Sequence, residues 1–127
     1  MQKYVVRNIP RPAPDILEAY RDLDVSTVYE AQGKQGLMHP YLRPLIPGSR
    51  LCGPAVTVIC PAGDNLMIHA AIEVCRPGDV LVVATIGESN HGMVGELIVR
   101  ALMKRGVQGL VIDSGIRDSA VIRELGF

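Results

Sequence analysis

The chain has 127 residues, of which 48% are hydrophobic and 20% are charged, and its 13 basic residues balance its 13 acidic ones. This composition is typical of one globular domain with a modest core, and the neutral balance gives no electrostatic case for nucleic acid or an anionic membrane as a partner. No apolar run approaches the roughly 20 residues of a membrane span, and the amino terminus lacks a signal-peptide core, so we expect a cytoplasmic protein.

The first half of the chain predicts little regular structure. Residues 1–13 predict an extended arm, followed by a short helix over 14–21 and a second one over about 24–33. Residues 33–50 contain three glycines and three prolines, which is typical of an irregular connection. Because a connection of this length is unusual in a compact domain, we expect part of it to act as a lid or a subunit contact.

The second half of the chain alternates between strand and helix patterns. In order, these are strand 51–60, helix 65–75, strand 80–86, helix 94–105, strand 107–112 and helix 119–125. The helix over 65–75 is apolar nearly all round and is expected to be buried, while the β-branched run at 80–86 suits a strand covered on both faces. Residues 80–112 therefore predict a parallel βαβ unit with a right-handed crossover.

The predicted fold class is α/β, and its last helix has no strand to follow it. A helix after a parallel strand normally leads into another strand, and none remains after residue 125. We therefore interpret residues 1–127 as a single domain that lacks its C-terminal strands and forms the amino-terminal part of a longer one.

Two polar loops, over residues 87–95 and 113–118, follow the carboxyl ends of neighbouring predicted strands. Open α/β sheets bind ligands at that edge, and the chain geometry should bring Arg117 and Asp118 close to Glu96. The helix that begins there offers free N–H groups and a positive dipole end to an anion. An arginine can bind a carboxylate in a fork, and acidic residues can hold Mg²⁺.

Each residue of this cluster also has a purely structural interpretation. An ordinary turn between a strand and a helix accounts for Gly92 and Gly95, and a plain helix N-cap accounts for Asp118. A solvated surface charge accounts for Arg117, and the helix dipole favours an acid at Glu96 in any case. The convergence of all these features on one edge of the sheet favours a binding site.

Several other chemistries lack support in the sequence. No serine or cysteine lies in a nucleophile motif, and no lysine falls in the two polar loops, so a Schiff base is disfavoured and metal-assisted chemistry is preferred. The three histidines do not form a zinc site; His91 is the one in a site loop, whereas His69 is expected to be structural. Asp113 is expected to order its own loop. The three cysteines are expected to be reduced and buried.

The segment GELIVRALMKRGVQGLVIDSGIRD, residues 95–118, resembles the class II pyruvate aldolases that cleave 4-hydroxy-4-methyl-2-oxoglutarate and 4-carboxy-4-hydroxy-2-oxoadipate. The same superfamily includes the regulator of ribonuclease activity A proteins. The signature is an acid, twenty residues and then Arg-Asp, which here are Glu96, Arg117 and Asp118. The resemblance begins at about residue 14 and includes DVSTVYEAQG, the GPAVTV strand and RPGDVLVV.

The resemblance implies a layered β/β/α, swivelling-domain-like fold, assembly into homotrimers or homohexamers, and active sites at subunit interfaces. It implies a substrate loop whose backbone N–H groups bind the pyruvyl carboxylate, formed by Gly95, Glu96, Leu97 and Ile98. Arg117 would bind the substrate and Asp118 would hold Mg²⁺ or Mn²⁺, with Glu96 in the outer coordination shell.

The function that the resemblance implies is a divalent-metal-dependent lyase that releases pyruvate from 4-hydroxy-2-oxo acids by retro-aldol cleavage, with oxaloacetate decarboxylation through the same enolate. The alternative is a non-catalytic regulator that binds and inhibits a ribonuclease assembly. The set of Glu96, Arg117 and Asp118 favours the lyase. The family's further strand-rich third, which supplies an acidic residue to the neighbouring subunit's metal site, has no counterpart in these 127 residues.

Overall fold

The computed structural model describes residues 3–127, which form five helices and five strands. In chain order they are α1 (Pro14–Arg21), α2 (Val25–Ala31), β1 (Ala55–Pro61), α3 (Leu66–Val74), β2 (Val80–Ile86), β3 (Gly92–Val94), α4 (Glu96–Lys104), β4 (Gly109–Ile112), β5 (Gly115–Ile116) and α5 (Ser119–Leu125). None of the helices described over residues 3–127 combines the length and the apolar character needed to cross a bilayer.

The main sheet has three parallel strands in the order β1–β2–β4. Val56 of β1 lies opposite Leu81 of β2, and Leu81 lies opposite Leu110 of β4, so these three side chains share one face. Because α4 connects β2 to its parallel neighbour β4, the α/β class and the βαβ unit predicted over residues 80–112 are confirmed.

The core lies between this face of the sheet and helices α3 and α4. Leu81 and Val83 of the central strand are fully buried, and so are Ile68 of α3 and Leu102 of α4. The opposite face is open at its carboxyl end, where Ile86 is 52% exposed. The prediction that the 80–86 strand is covered on both faces is therefore wrong within the described residues, since an apolar run alone does not say what packs on it.

Helix α3 is buried on one face rather than all round. Ile68, Ala71 and Val74 point into the core, whereas Leu66 and His69 are exposed, so the predicted burial of this helix and of His69 is wrong. Helix α3 has more apolar side chains than one face of the sheet can cover, so some of them remain exposed to solvent.

A second sheet of two very short parallel strands, β3 and β5, was not predicted from the sequence. Its formation moves the start of α4 to Glu96, two residues after the predicted start, and turns part of both polar loops into paired backbone. Helix α5 matches the prediction and ends at Gly126, whose φ of 76° is the left-handed conformation that glycine adopts easily.

Residues 3–54 contribute no fully buried residue, although Ile9 and Leu45 pack against the core, and polar contacts also hold this segment in place. The strongest is a buried ion pair, in which Arg11 Nη2 lies 2.6 Å from Asp79 Oδ2 and Arg11 Nε lies 3.2 Å from Asp79 Oδ1. The Arg76 N–H donates to the same carboxylate at 2.8 Å, and Asp79 is only 1% exposed. This pair anchors the amino-terminal arm at the edge of the sheet opposite the two site loops.

The three cysteines are all free thiols. Cys60 and Cys75 are buried, as predicted, while Cys52 is partly exposed. Desolvation by burial raises the pKa of the Cys75 thiol to about 11, so this side chain is a neutral part of the core.

Candidate functional site

The site loops meet at the carboxyl edge of the sheet because β3 and β5 lie side by side. The Arg117 N–H donates to Val94 O at 2.7 Å, which continues the pairing of these strands. One residue further along, Asp118 Oδ2 accepts a hydrogen bond from the Glu96 N–H at 3.0 Å. The three residues of the acid-and-Arg-Asp signature are therefore neighbours in space, as the βαβ topology predicted.

Arg117 runs across two glycines. A Cβ atom on Gly92 would lie 2.9 Å from Arg117 Cδ and closer still to its Cγ, and one on Gly95 would lie 3.6 Å from Arg117 Nε. Neither glycine has a positive φ, so their lack of a side chain serves close approach rather than an unusual backbone shape. The turn interpretation of these glycines is thus incomplete, since they make the surface on which the arginine lies.

Asp118 adopts a left-handed backbone conformation, with φ 57° and ψ 33°, at the N-cap position of α5. Its side chain makes no capping bond to α5 and instead bonds the first turn of α4. The plain N-cap interpretation therefore holds for its position but not for its carboxylate. For a residue other than glycine, left-handed φ and ψ angles are unfavourable in free energy. The conformation persists only where surrounding contacts hold it.

The start of α4 presents three N–H groups that precede its hydrogen-bond ladder. The ladder begins with the Val99 N–H, which donates to Gly95 O at 3.1 Å. Asp118 takes the Glu96 N–H, and the N–H groups of Leu97 and Ile98 have no acceptor within residues 3–127. The Leu97 side chain is 82% exposed, whereas the Ile98 side chain lies in the core, so Ile98 can offer a ligand only its backbone.

Glu96 is paired along its own helix. Its Oε1 lies 2.7 Å from Arg100 Nε, at i,i+4 spacing, and both side chains are partly exposed. Sequence reasoning missed Arg100, although the spacing of an acid and an arginine by four residues on a predicted helix is a signal for such a pair.

A network of polar contacts holds the first site loop against the second. The Ser114 hydroxyl contacts Ser89 Oγ at 2.8 Å and donates to His91 O at 3.0 Å, while Asn65 Nδ2 donates to Met93 O at 3.0 Å. The His91 side chain is exposed and lies beside Gly63. Neither of these contacts of Ser114 and Asn65 was predicted from the sequence, because nothing local marks a contact between distant loops.

The long connection over residues 33–50 also reaches this edge. The Tyr41 hydroxyl donates to Asp113 Oδ1, and Arg123 Nε donates to Leu45 O at 3.2 Å. The hydrogen bond to Asp113 raises the pKa of the Tyr41 phenol above its usual value. Asp113 thus orders more than its own loop, since its carbonyl also accepts a bond from Thr85 Oγ1 at 2.8 Å.

The donor set fits a hard, largely hydrated cation better than zinc. Within residues 3–127, no three side chains of the His, Cys, Asp and Glu types cluster as a metal cage would. Of the acidic side chains in the two site loops, that of Asp118 is exposed and has its Oδ2 oriented by a backbone bond, and its Oδ1 has no partner among the described residues. Mg²⁺ is commonly held by one or two carboxylates with water and substrate oxygens, so Asp118 is suited to hold it.

Known proteins of similar sequence cover most of this chain. A protein from Halalkalibacterium halodurans, provisionally named a 4-hydroxy-4-methyl-2-oxoglutarate aldolase, is 27% identical over 113 residues, which are 89% of this chain and 54% of that protein. A protein of the same provisional name from Burkholderia multivorans is 34% identical over 94 residues, covering 74% of this chain and 57% of its own length. The chain thus spans little more than half the length of these relatives.

A solved structure is similar to this chain in fold and in sequence. The crystal structure of Streptomyces coelicolor RraAS2, an unusual member of the RNase ES inhibitor RraA protein family, is 31% identical with a TM-score of 0.74, and the match covers 91% of this chain and 62% of that one. The resemblance predicted from the sequence is therefore confirmed. Because residues 13–127 match the family described as Aldolase/RraA, this chain belongs to the RraA-like family.

Proposed function

We propose that this chain carries the pyruvyl-binding site of a divalent-metal-dependent lyase, which cleaves 4-hydroxy-2-oxo acids of the 4-hydroxy-4-methyl-2-oxoglutarate type and releases pyruvate. The observation that carries the proposal is the hydrogen bond from the Glu96 N–H to Asp118 Oδ2, with Arg117 beside it. It supports the proposal because the guanidinium of Arg117, an oriented carboxylate and a helix amino terminus lie on one edge, and these are the groups that an anionic oxo acid and a metal ion require.

Arg117 binds the carboxylate of the substrate in this proposal. Its guanidinium makes no ion pair with any carboxylate among the described residues, and its side chain is exposed. A guanidinium binds a carboxylate through two parallel N–H groups. The backbone N–H groups of Leu97 and Ile98, which have no acceptor within residues 3–127, add donors at the positive end of the α4 dipole.

Asp118 would hold the Mg²⁺ or Mn²⁺ ion, and the Glu96 N–H orients its carboxylate. When bound, such an ion would supply Lewis acidity to the 2-oxo acid. Arg117 stabilises the negative charge that develops as the C3–C4 bond breaks. Arg117 favours the hydroxide form of a neighbouring water molecule, which accepts the proton of the 4-hydroxyl group, and the water so formed returns a proton to C3 of the released pyruvate. Oxaloacetate would lose carbon dioxide through the same enolate.

The open side of the site suits completion by a neighbouring subunit. Arg117 and Asp118 are exposed, and so is the Leu97 side chain next to them. A water-exposed site would weaken every electrostatic interaction that the mechanism needs, because charges attract one another less in a high dielectric. We therefore propose a homotrimer or homohexamer in which a second copy covers this edge.

A ribonuclease-inhibiting regulator is the second candidate. It is favoured by the 31% identity to RraAS2, whose family is named for inhibition of RNase ES. Such a role needs no metal and predicts that a ribonuclease-containing assembly is retained on the immobilised protein, with its activity reduced.

The test is pyruvate release from 4-hydroxy-4-methyl-2-oxoglutarate, and from oxaloacetate in parallel, in Mg²⁺ and then in EDTA. The full-length protein is compared with Arg117→Ala and Asp118→Ala, and with Arg21→Ala as a control for loss of an exposed arginine at the other end of the fold. The lyase is supported if turnover depends on the metal, is lost in Arg117→Ala and Asp118→Ala, and is retained in Arg21→Ala. A folded protein that is inert toward both substrates would overturn the proposal and favour the regulator.

A further inference from the structure

Arg100 is a cationic side chain next to the proposed site that the mechanism does not use. It lies one turn after Glu96 on α4, and its Nε is 2.7 Å from Glu96 Oε1. Side chains on a helix tilt toward its amino terminus, so a residue in the second turn delivers its charge to the first. The guanidinium of Arg100 is therefore carried back to the end of α4 that faces Asp118.

Two acidic residues meet at that end of the helix, one through its backbone and one through its side chain. The backbone N–H of Glu96 bonds Asp118 Oδ2, so the two acidic residues are linked by a single hydrogen bond. The charge of Glu96, in the first turn of α4, would repel an incoming oxo acid, which is itself an anion. Arg117 is required for the ligand in the proposed function, which leaves Arg100 as the partner that offsets the charge of Glu96.

We propose that Arg100 is a positioning residue, which neutralises Glu96 and holds its carboxylate along α4 so that an anionic 2-oxo acid can reach Arg117. This inference rests on the proposed function, because it concerns the same ligand. The role of Arg100 requires only that the oxo acid binds, whereas the proposed lyase function also requires that the oxo acid reacts.

The competing interpretation is an ordinary surface ion pair. Exposed pairs at i,i+4 spacing contribute little to the stability of a helix and do nothing for a ligand. The chain offers a matched pair for comparison, because Arg21 Nε lies 3.0 Å from Glu18 Oε2 on α1. That pair is also exposed and intrahelical, but α1 has no part in the site loops. An ordinary role for Arg100 predicts that both arginines behave alike on removal.

The experiment measures the dissociation constant of pyruvate by calorimetry in Mg²⁺, at low and at physiological ionic strength. Arg100→Gln is expected to weaken pyruvate binding about three- to tenfold at low salt, with a smaller effect at high salt, because the repulsion is screened. Arg100→Lys keeps the charge and should stay within about twofold of wild type. Arg21→Gln should leave the constant unchanged.

The double variant Glu96→Gln/Arg100→Gln decides the mechanism. If Arg100 acts through Glu96, the effect of Arg100→Gln falls to within about twofold once position 96 is uncharged. In turnover, Arg100→Gln should raise KM with little change in kcat, which is the pattern of lost binding.

The outcomes separate the two proposals. Pyruvate affinity that is unchanged in Arg100→Gln at low salt, or equally weakened with Gln or Glu at position 96, overturns the role of Arg100. Pyruvate binding without turnover overturns the lyase while leaving the binding measurements valid. A wild-type protein that does not bind pyruvate at all overturns both.

Discussion

Asp118 Oδ2 accepts the backbone N–H of Glu96 at 3.0 Å, across 22 positions in the sequence. Asp118 thus occupies the N-cap position of α5, but its side chain caps α4. Its backbone is in the left-handed conformation. This relationship links the starts of two helices and orients the one exposed carboxylate to which the proposed chemistry assigns the metal ion. A contact that costs backbone conformational energy and orients a charged group is typical of a functional site.

Substitutions at Asp118 should separate its backbone role from its chemical role. Asp118→Gly is expected to be more stable than Asp118→Ala by roughly 0.5–1 kcal/mol, because glycine tolerates the left-handed conformation even after its greater freedom in the unfolded chain is subtracted. Both variants should lose pyruvate release. Urea unfolding and the turnover assay are the measurements, and equal stability of the two variants would mean that the conformation carries no cost.

Adding one methyl group at Gly92 should displace Arg117 without unfolding the protein. A Cβ there would lie 2.9 Å from Arg117 Cδ, which is a flexible side chain that can move away. Gly92→Ala is expected to weaken pyruvate binding about tenfold or more and to change the free energy of unfolding by less than about 1 kcal/mol. In an Arg117→Ala background the same change should have no further effect on binding, and an additive loss would contradict this packing argument.

The buried ion pair between Arg11 and Asp79 should be a main support of the amino-terminal arm. Asp79→Asn leaves the Arg11 guanidinium without its counter-charge in a buried place, and we expect a loss of about 3–5 kcal/mol in the free energy of unfolding. Arg7→Ala is the control, because its pair with Glu73 is exposed on both sides and should contribute less than about 1 kcal/mol. If urea unfolding showed that Asp79→Asn and Arg7→Ala lose a similar free energy of unfolding, burial of the ion pair would not be what makes it stabilising.

The hydrogen bond from Tyr41 to Asp113 predicts a dependence of stability on alkaline pH. Because the bond raises the pKa of Tyr41 in the folded state, the folded protein holds this proton more tightly than the unfolded chain does. The stabilisation is therefore fully present below the ordinary tyrosine pKa, and it is lost as pH rises through the higher folded value.

Tyr41→Phe should abolish this pH dependence and remove one tyrosinate transition from the ultraviolet titration of the folded protein. The measurement is the absorbance difference between wild type and variant as pH is raised, together with thermal unfolding at each pH. A Tyr41 that ionises at or below the ordinary tyrosine pKa would mean that the contact with Asp113 does not persist in solution.

The sequence by itself determined the parts of this protein that repeat a local pattern. Local patterns predicted three elements within a few residues: β2 from its β-branched run, α4 from its amphipathic spacing and the end of α5 from the glycine that follows it. Each pattern reflects backbone hydrogen bonding within or next to its own segment. The order strand, helix, strand then forced both site loops to one edge, because parallel strands place their carboxyl ends together. That topology is enough to bring Arg117 and Asp118 near Glu96.

The tertiary structure alone decided which distant groups touch. Strands of two or three residues, such as β3 and β5, are too short to leave a periodic signal, and they exist because they pair with each other. The same holds for the bond between Arg11 and Asp79 and for the passage of Arg117 over Gly92. Local sequence patterns record what a segment does with its own neighbours. Close approach between segments depends on the path of the whole chain, which no single segment encodes.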